Sequence, residues 1–210
     1  MKNKRIFYML FIAVVLPLIF LTQSALGATS TTSVLHDTYV DQGLPSTNFG
    51  TENHVKIGSN GQKLGFILFN LTDKPTNYVD AQLILKITTI VTEAVLDVNV
   101  YSVPNNSWAE TDLTWNNKPS YTELIETFHV DYDELMASTG GYSISINITD
   151  YVSGQAVSFA FATNSTESDY CGFTAKDNIN LPDSYNPIIQ WTISDIVSPT
   201  GGDDPPYWRR

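Results

Sequence analysis

From residue 33 onward, apolar and polar residues alternate in short runs that turn residues separate. In the run 81–87 every second residue is Ala, Leu or Ile, and in the run 144–148 every second residue is Ile. A period of two places alternate side chains on opposite faces of a β-strand. The same pattern predicts strands in the runs 33–41, 54–58, 63–70, 98–103 and 157–162.

Turn residues and the scarcity of helical periodicity decide the fold class. Gly43 to Ser46 break the first strand, and Asn60-Gly61 favours a hairpin between two later ones, because this pair accepts positive φ angles. Only 133–137 and 149–152 are compatible with helical turns. Many short strands with turns between them predict an all-β, antiparallel sandwich or barrel. Alternation on most strands favours a two-sheet β-sandwich with one solvated face on each sheet.

Both ends of the chain differ from this body. Residues 1–27 have a basic start, an apolar run and small residues at their end, which predicts a secretory signal peptide. The apolar run contains Pro17 and is shorter than the roughly 20 residues of a membrane-spanning helix. An uncleaved signal anchor is the alternative. The β-sandwich domain is expected over 28–196, and the Pro-, Gly- and Asp-rich stretch 197–210 is a linker or tail.

Charge and cysteine content limit the partners. Removal of 1–27 takes away three basic residues and no acidic ones, so 22 acidic residues face eight basic ones and the formal net charge becomes −14. This excess disfavours nucleic acid and anionic membranes, and no membrane insertion is expected after signal cleavage. Cys171 is the single cysteine, so no intramolecular disulfide forms. A buried, unreactive thiol is favoured over a reactive one.

The segment 108–119 has two tryptophans, an acid and a proline at fixed offsets, in the pattern W-x-E-x-x-x-T-W-x-x-x-P. This pattern resembles the signature of the DNRLRE domains, which include carbohydrate-binding module family 96 and the disaggregatase-related domains. Six further motifs occur in the family's order: D-x-Y-V from Asp37, N-x-G from Asn48, a basic-led strand from Lys63, A-x-L-x-L from Ala81, and the segments from Phe173 and Pro187.

The resemblance implies a jelly-roll β-sandwich that acts as a carbohydrate-binding or adhesive module and not as an enzyme. The family often has arginine at the position of Lys63 and glutamate at that of Asp177. Lysine does not reproduce the bidentate grip of arginine on a carboxylate. Lysine in place of arginine at position 63 therefore argues against alginate as the ligand, although some relatives bind it.

Trp108, Tyr101 and Lys63 form the predicted carbohydrate site. Trp108 has polar neighbours and is either an exposed platform for a sugar ring or a structural clasp. Trp115 is expected in the core or as a loop anchor, because buried aromatic residues dominate sandwich cores.

Calcium is the predicted cofactor, with a structural role. Asp37 and Asp41 near the first strand and Asp177 near the last could supply the oxygen ligands that calcium needs. The alternative is that these acids cap loops, since Asp and Asn side chains bind turn backbones.

Catalytic and zinc chemistry have weaker support. His36, His54 and His129 show no H-x-x-x-H spacing. The carboxylates of Asp97, Glu110, Asp131 and Asp133 could serve a glycosidase only at separations that the sequence does not give.

Four N-x-S/T sequons predict surface glycosylation if the chain is exported, at Asn70, Asn105, Asn147 and Asn164. The sequence as a whole therefore predicts a secreted or cell-surface, non-catalytic module that binds an extracellular polysaccharide. The first alternative is a structural or adhesive domain that self-associates or binds a surface protein. A polysaccharide hydrolase or lyase is the third.

Overall fold

The computed structural model describes residues 27–58, 62–91, 95–165 and 169–194. These residues form a β-rich body with one short α-helix. Its strands are β1 (Thr29–Ser33), β2 (His36–Asp41), β3 (His54–Gly58), β4 (Lys63–Asn70), β5 (Tyr78–Val91), β6 (Leu96–Val103), β7 (Leu124–Val130), β8 (Tyr142–Asn147), β9 (Ala156–Thr163), β10 (Tyr170–Thr174) and β11 (Ile188–Ile193). The helix α1 (Tyr132–Ala137) precedes β8, and single 3-10 turns occupy Thr149–Tyr151 and Asp183–Tyr185.

All pairings between the described strands are antiparallel, and they join the strands in one curled sheet. One half contains β1, β11, β5, β8, β10 and β3, and the other contains β2, β4, β9, β6 and β7. Among the described residues, the pair of Gly58 with Lys63 connects β3 to β4 and thereby joins the halves. The predicted all-β, antiparallel class is confirmed. The division into two separate jelly-roll sheets is not confirmed.

The main core lies inside this curl and takes residues from both halves. Phe161 on β9 meets Phe173 on β10 edge to face, with ring centroids 5.1 Å apart. Trp191 on β11 is fully buried and donates its indole N–H to the Thr32 hydroxyl at 2.8 Å. Cys171 is also in this core, as predicted, and burial raises the pKa of its thiol to about 12. The halves therefore share one hydrophobic interior.

A second hydrophobic cluster covers the outer face of β2, β4, β9 and β6. The segment 104–121 lies over this face, and its Leu113 is buried against Phe66 and two alanines, Ala160 and Ala162. The small alanine side chains leave room for the aromatic residues above them. The prediction of a solvated outer face is therefore wrong for this half. Alternate residues of β9 lie on opposite faces of the sheet, and both of these faces are buried.

The periodicity predicts the interior strands best. The bounds of β3 and β4 agree with the predicted runs, and both predicted helical turns are present. The predicted strand 33–41 is divided between β1 and β2, and β7 was not predicted. The signal peptide, the central residues of the Asn60-Gly61 hairpin and the tail lie outside the described residues. None of the described helices is long and apolar enough to cross a membrane.

Candidate functional site

The segment 108–119, here called the tryptophan segment, is fixed by turns and by one asparagine from the N-x-G motif. Asn48 donates its side-chain amide to the carbonyl oxygens of Glu110 and Leu113, the latter at 2.8 Å. Gly50 lies so close to Glu110 that an added Cβ would be 2.3 Å from the Glu110 carbonyl oxygen. Asn117 closes the segment by donating to the Asp112 carbonyl at 2.9 Å. The two motifs therefore form one structural unit.

Trp108 is half-buried and lies between the second cluster and solvent. Its indole N–H donates to the Ser158 hydroxyl at 3.1 Å, and its ring meets Phe66 edge to face with centroids 6.2 Å apart. The same residue lines a cavity of about 180 Å³ with Asn105, Ser107, Asp112 and others of the segment. Trp108 thus clasps the segment to β9 and also presents part of its surface to a polar cavity.

Two other aromatic groups surround this segment. Tyr101 on β6 is half-buried beside Tyr121, with ring centroids 4.8 Å apart. Trp115 is half-buried in the second cluster, and the Lys118 ammonium lies 3.8 Å from its ring centroid. Trp115 therefore anchors the loop, in agreement with the prediction. Tyr101 and Trp108 pack against the same cluster, but Tyr101 is not among the described residues that line the cavity beside Trp108.

Lys63 lies apart from these two aromatic residues. Its ammonium contacts the Asp41 carboxylate at 2.6 Å. Leu64, the next residue in β4, packs in the second cluster, so alternation places Lys63 on the opposite face of the strand. Asp41 also accepts the Gly43 N–H at 2.8 Å. The structure therefore joins Lys63 to a predicted calcium ligand and not to Tyr101 and Trp108.

Three motifs meet in a charged junction beside Trp108. The Lys176 ammonium lies 2.7 Å from Glu110 and 3.2 Å from Asp177, and the Lys176 backbone N–H donates to Asp37 at 2.8 Å. His36 adds its ring nitrogen 3.7 Å from Glu110. The charged junction is defined by these five residues and links the first strand pair, the tryptophan segment and the loop after β10.

Asp37 is the most buried acid of the charged junction. It is 1% exposed, and its second carboxylate oxygen, Oδ1, has no hydrogen-bond partner among the described residues. Burial raises the pKa of Asp37 to about 7, although the Lys176 N–H and ammonium oppose the shift. The junction thus contains a carboxyl group that takes up a proton near neutral pH.

The three predicted calcium ligands do not come together. Asp37 and Asp177 share the charged junction, whereas Asp41 is paired with Lys63. Within the described ranges, no group of three or more His, Cys, Asp and Glu side chains has an arrangement suited to a metal ion. The Lys176 ammonium supplies the positive charge between Glu110 and Asp177. Calcium stays a prediction.

The other candidate residues are dispersed over the fold. Asp97 and His129 form an exposed pair at 2.6 Å, and Asp131 caps α1 by accepting the backbone N–H of Asp133 at 2.7 Å. His54 borders a different cavity, described below. All four sequon asparagines are exposed, so the surface can accept glycans at each position: Asn70, Asn105, Asn147 and Asn164. Their modification stays a prediction.

Sequence reasoning missed the partners of the predicted residues. Lys176 and Tyr121 were not singled out, and Glu110 was considered only as one of several acids. Glu110 is the acid of the tryptophan pattern, and Lys176 precedes Asp177 in another motif. The sequence shows that each of three motifs contains a charged residue. Only the fold shows that these residues contact one another.

The likeness of this chain to known proteins is to a family model. No curated protein matches the chain. The model of carbohydrate-binding module family 96 matches residues 28–185, which include the tryptophan segment and all five residues of the charged junction. Because the match covers most of the chain, the protein belongs to carbohydrate-binding module family 96.

Proposed function

We propose that this protein is an exported, non-catalytic module that binds a neutral extracellular polysaccharide at the tryptophan segment. The observation that carries the proposal is the position of Trp108, which borders a polar cavity in a member of a carbohydrate-binding family. The site combines an indole surface with amide, hydroxyl and carboxylate groups. Sugars present apolar C–H faces and hydroxyl groups that match this combination.

The orientation of Trp108 decides what a sugar can contact. Its N–H is already bonded to Ser158, so the indole offers apolar surface and not a hydrogen-bond donor. Hydrogen bonds to sugar hydroxyls would come from Asn105, Ser107 and Asp112 on the other walls. Because Ser158 and Phe66 hold the ring, little side-chain entropy is lost on binding. A rigid aromatic surface with polar neighbours is suited to a sugar ring.

The charges favour a neutral ligand. Asp112 lines the cavity, and Lys63, the basic residue of the strand motif, is neutralised by Asp41 on the other face of β4. The body has no arginine before Arg209. A polyuronate would therefore meet a carboxylate without an arginine partner.

The test is binding of the mature chain to neutral and acidic polysaccharides, measured by affinity electrophoresis and calorimetry with calcium and with chelator. Trp108→Ala should weaken binding to a neutral polysaccharide by about tenfold or more, because it removes the aromatic anchor. Val79→Ala is the control, since Val79 is an exposed apolar residue on β5 outside this site. Circular dichroism must show that both variants are folded. Unchanged binding in Trp108→Ala would contradict the proposed site, and dependence on calcium would support the predicted cofactor.

A structural or adhesive function is the second candidate, and the sheet edges favour it. Among the described strands, β1, β7 and β8 each pair on one side: with β11, β6 and β5. Such edges can pair with a strand from another copy. No binding across the panel, together with a mass that rises with concentration in sedimentation, would support this function over polysaccharide binding.

A further inference from the structure

A second cavity lies on a different part of the fold, between the start of β3, the end of α1 and the loop after β10. Its volume is about 430 Å³, within the roughly 300–1,000 Å³ range of small-molecule sites. It shares no lining residue with the Trp108 cavity. The two cavities can therefore be tested separately.

The lining of this cavity includes hydrogen-bonding side chains that are neutral and unpaired. Within the part of the chain that the structure describes, the side chains of Asn53, His54 and Asn180 have no hydrogen-bond partner. Burial lowers the pKa of His54, and so does the nearby Lys56 ammonium, so the imidazole is neutral at pH 7. Asn178, by contrast, is fixed by bonds to the Asn53 carbonyl and the Asn180 N–H, both at 3.0 Å. The fixed asparagine positions the loop, and the unpaired groups are available to a ligand.

The lining of the cavity also includes apolar residues. Leu135, Met136 and Leu181 line it. Met136 is 58% exposed. Large apolar side chains at the rim of a cavity that also offers hydrogen bonds suit a ligand with one apolar and one polar part.

The charges around the cavity restrict the ligand further. None of its described lining residues is Asp, Glu, Lys or Arg, although the chain contains 22 acidic residues. A charged ligand would be buried without an ionic partner, which is unfavourable. The acidic surface would also repel an anion. The chemistry fits a neutral ligand that has both an amide or hydroxyl group and a methyl group.

We propose that this cavity is a second binding site and that it takes an N-acetylated amino sugar. The acetamide methyl packs against Leu135, Met136 and Leu181, and the amide and ring hydroxyls bond to His54 and Asn180. A plain hexose can bond to the polar lining residues but leaves the apolar ones uncovered. This proposal does not depend on the Trp108 site, and either site can be absent without affecting the other.

The test is titration of the isotope-labelled mature chain with N-acetylglucosamine, followed by nuclear magnetic resonance. We expect shifts concentrated at His54, Gly140 and Gly141, with glucose binding at least tenfold more weakly. Asn180→Ala should weaken N-acetylglucosamine binding at least fivefold. Asn180 is exposed and its side chain has no described partner, so this variant should fold.

Two matched variants make the result specific. Asn116→Ala removes an exposed asparagine outside the cavity, and Trp108→Ala alters the other site. Both should leave the shifts at His54 unchanged. The proposal is overturned if N-acetylglucosamine causes no shifts there, if glucose binds equally well, or if Asn180→Ala binds as tightly as the parent chain. Loss of the His54 shifts in Trp108→Ala would also overturn it, since the sites would then be one.

Discussion

Asp37 makes the stability of the fold depend on pH in a direction opposite to that of an ordinary paired acid. Its pKa rises from 3.8 to about 7 in the folded state, chiefly because the carboxyl is buried. Between these values the folded chain retains a proton that the unfolded chain has released. The unfolded state therefore binds fewer protons, and the contribution of Asp37 to the free energy of unfolding falls as pH rises from about 4 to 7.

Asp37→Asn should remove this slope, because asparagine stays neutral and its carbonyl oxygen can still accept the Lys176 N–H. We expect the variant to gain stability relative to the parent chain as pH rises from 4 to 8, by an amount on the order of a few kcal/mol. Urea unfolding at several pH values measures it. Asp73→Asn, at an exposed acid, is the control and should follow the parent curve. Parallel curves for Asp37→Asn and the parent would contradict the raised pKa.

At the scale of residues, the sequence predicted which side chains matter but not what they contact. Trp108 was predicted as either a platform or a clasp, and it has the contacts of a clasp on one edge while it lines a cavity on another. Asp37 and Asp177 were predicted to lie near each other, and both contact Lys176. Asp41 instead pairs with Lys63, because register across β2 and β4 places these two residues opposite each other. Contacts of this kind depend on register, which residue type alone does not give.

The tryptophan segment is held over the sheet by the small residues beneath it. Ala160 on β9 is 1% exposed and lies between Phe66 on β4 and Tyr101 on β6. Ala160→Leu would add three carbon atoms to this filled layer and displace the aromatic residues of the segment. We expect a loss of about 1–3 kcal/mol in the free energy of unfolding, as for overpacked cores. Urea unfolding measures the loss, and tryptophan fluorescence should shift to longer wavelength as Trp108 becomes more exposed.

Ala137→Leu is the control for this substitution, because Ala137 is exposed at the end of α1. It should change the free energy of unfolding by less than about 0.5 kcal/mol. If Ala160→Leu were equally mild and left the fluorescence unchanged, the segment would not be packed against β9 as the structure has it.

Elements with strong alternation were the ones that the sequence could predict. β5 has buried residues at every second position from Ala81 to Ile87, which is the predicted face. The residues of β9 alternate in a similar way, yet both faces of this strand are buried. The second buried face was not predicted, because its residues Ala160 and Ala162 are small and only weakly apolar. β7 was missed because its exposed edge position leaves Phe128 and Val130 as its only buried residues.

At the scale of the whole molecule, the sequence predicted the all-β class and the family but not the closure of the sheet. That closure depends on the Gly58–Lys63 pair and on Gly65, where an added Cβ would be 2.8 Å from a Val55 methyl. Glycine at this position lets β3 pack against β4 inside the curl. An approach of this kind depends on how two neighbouring strands pack against each other, which local periodicity does not predict.

The reactivity of the Cys171 thiol can show whether the main core and the second hydrophobic cluster unfold together. Its thiol is 1% exposed on β10, which pairs with both β5 and β3. Because burial raises the pKa of this thiol to about 12, a thiol reagent at pH 8 should react only after the strand opens. If opening is global, Ala160→Leu should raise the labelling rate of Cys171 by the same factor as its unfolding constant. For 1–3 kcal/mol that factor is about 5- to 150-fold.

If Ala160→Leu left the labelling rate unchanged, the second hydrophobic cluster would open independently of the main core. We expect the two to unfold together, because adjacent residues of β9 belong to them: Ala160 to the second hydrophobic cluster and Phe161 to the main core.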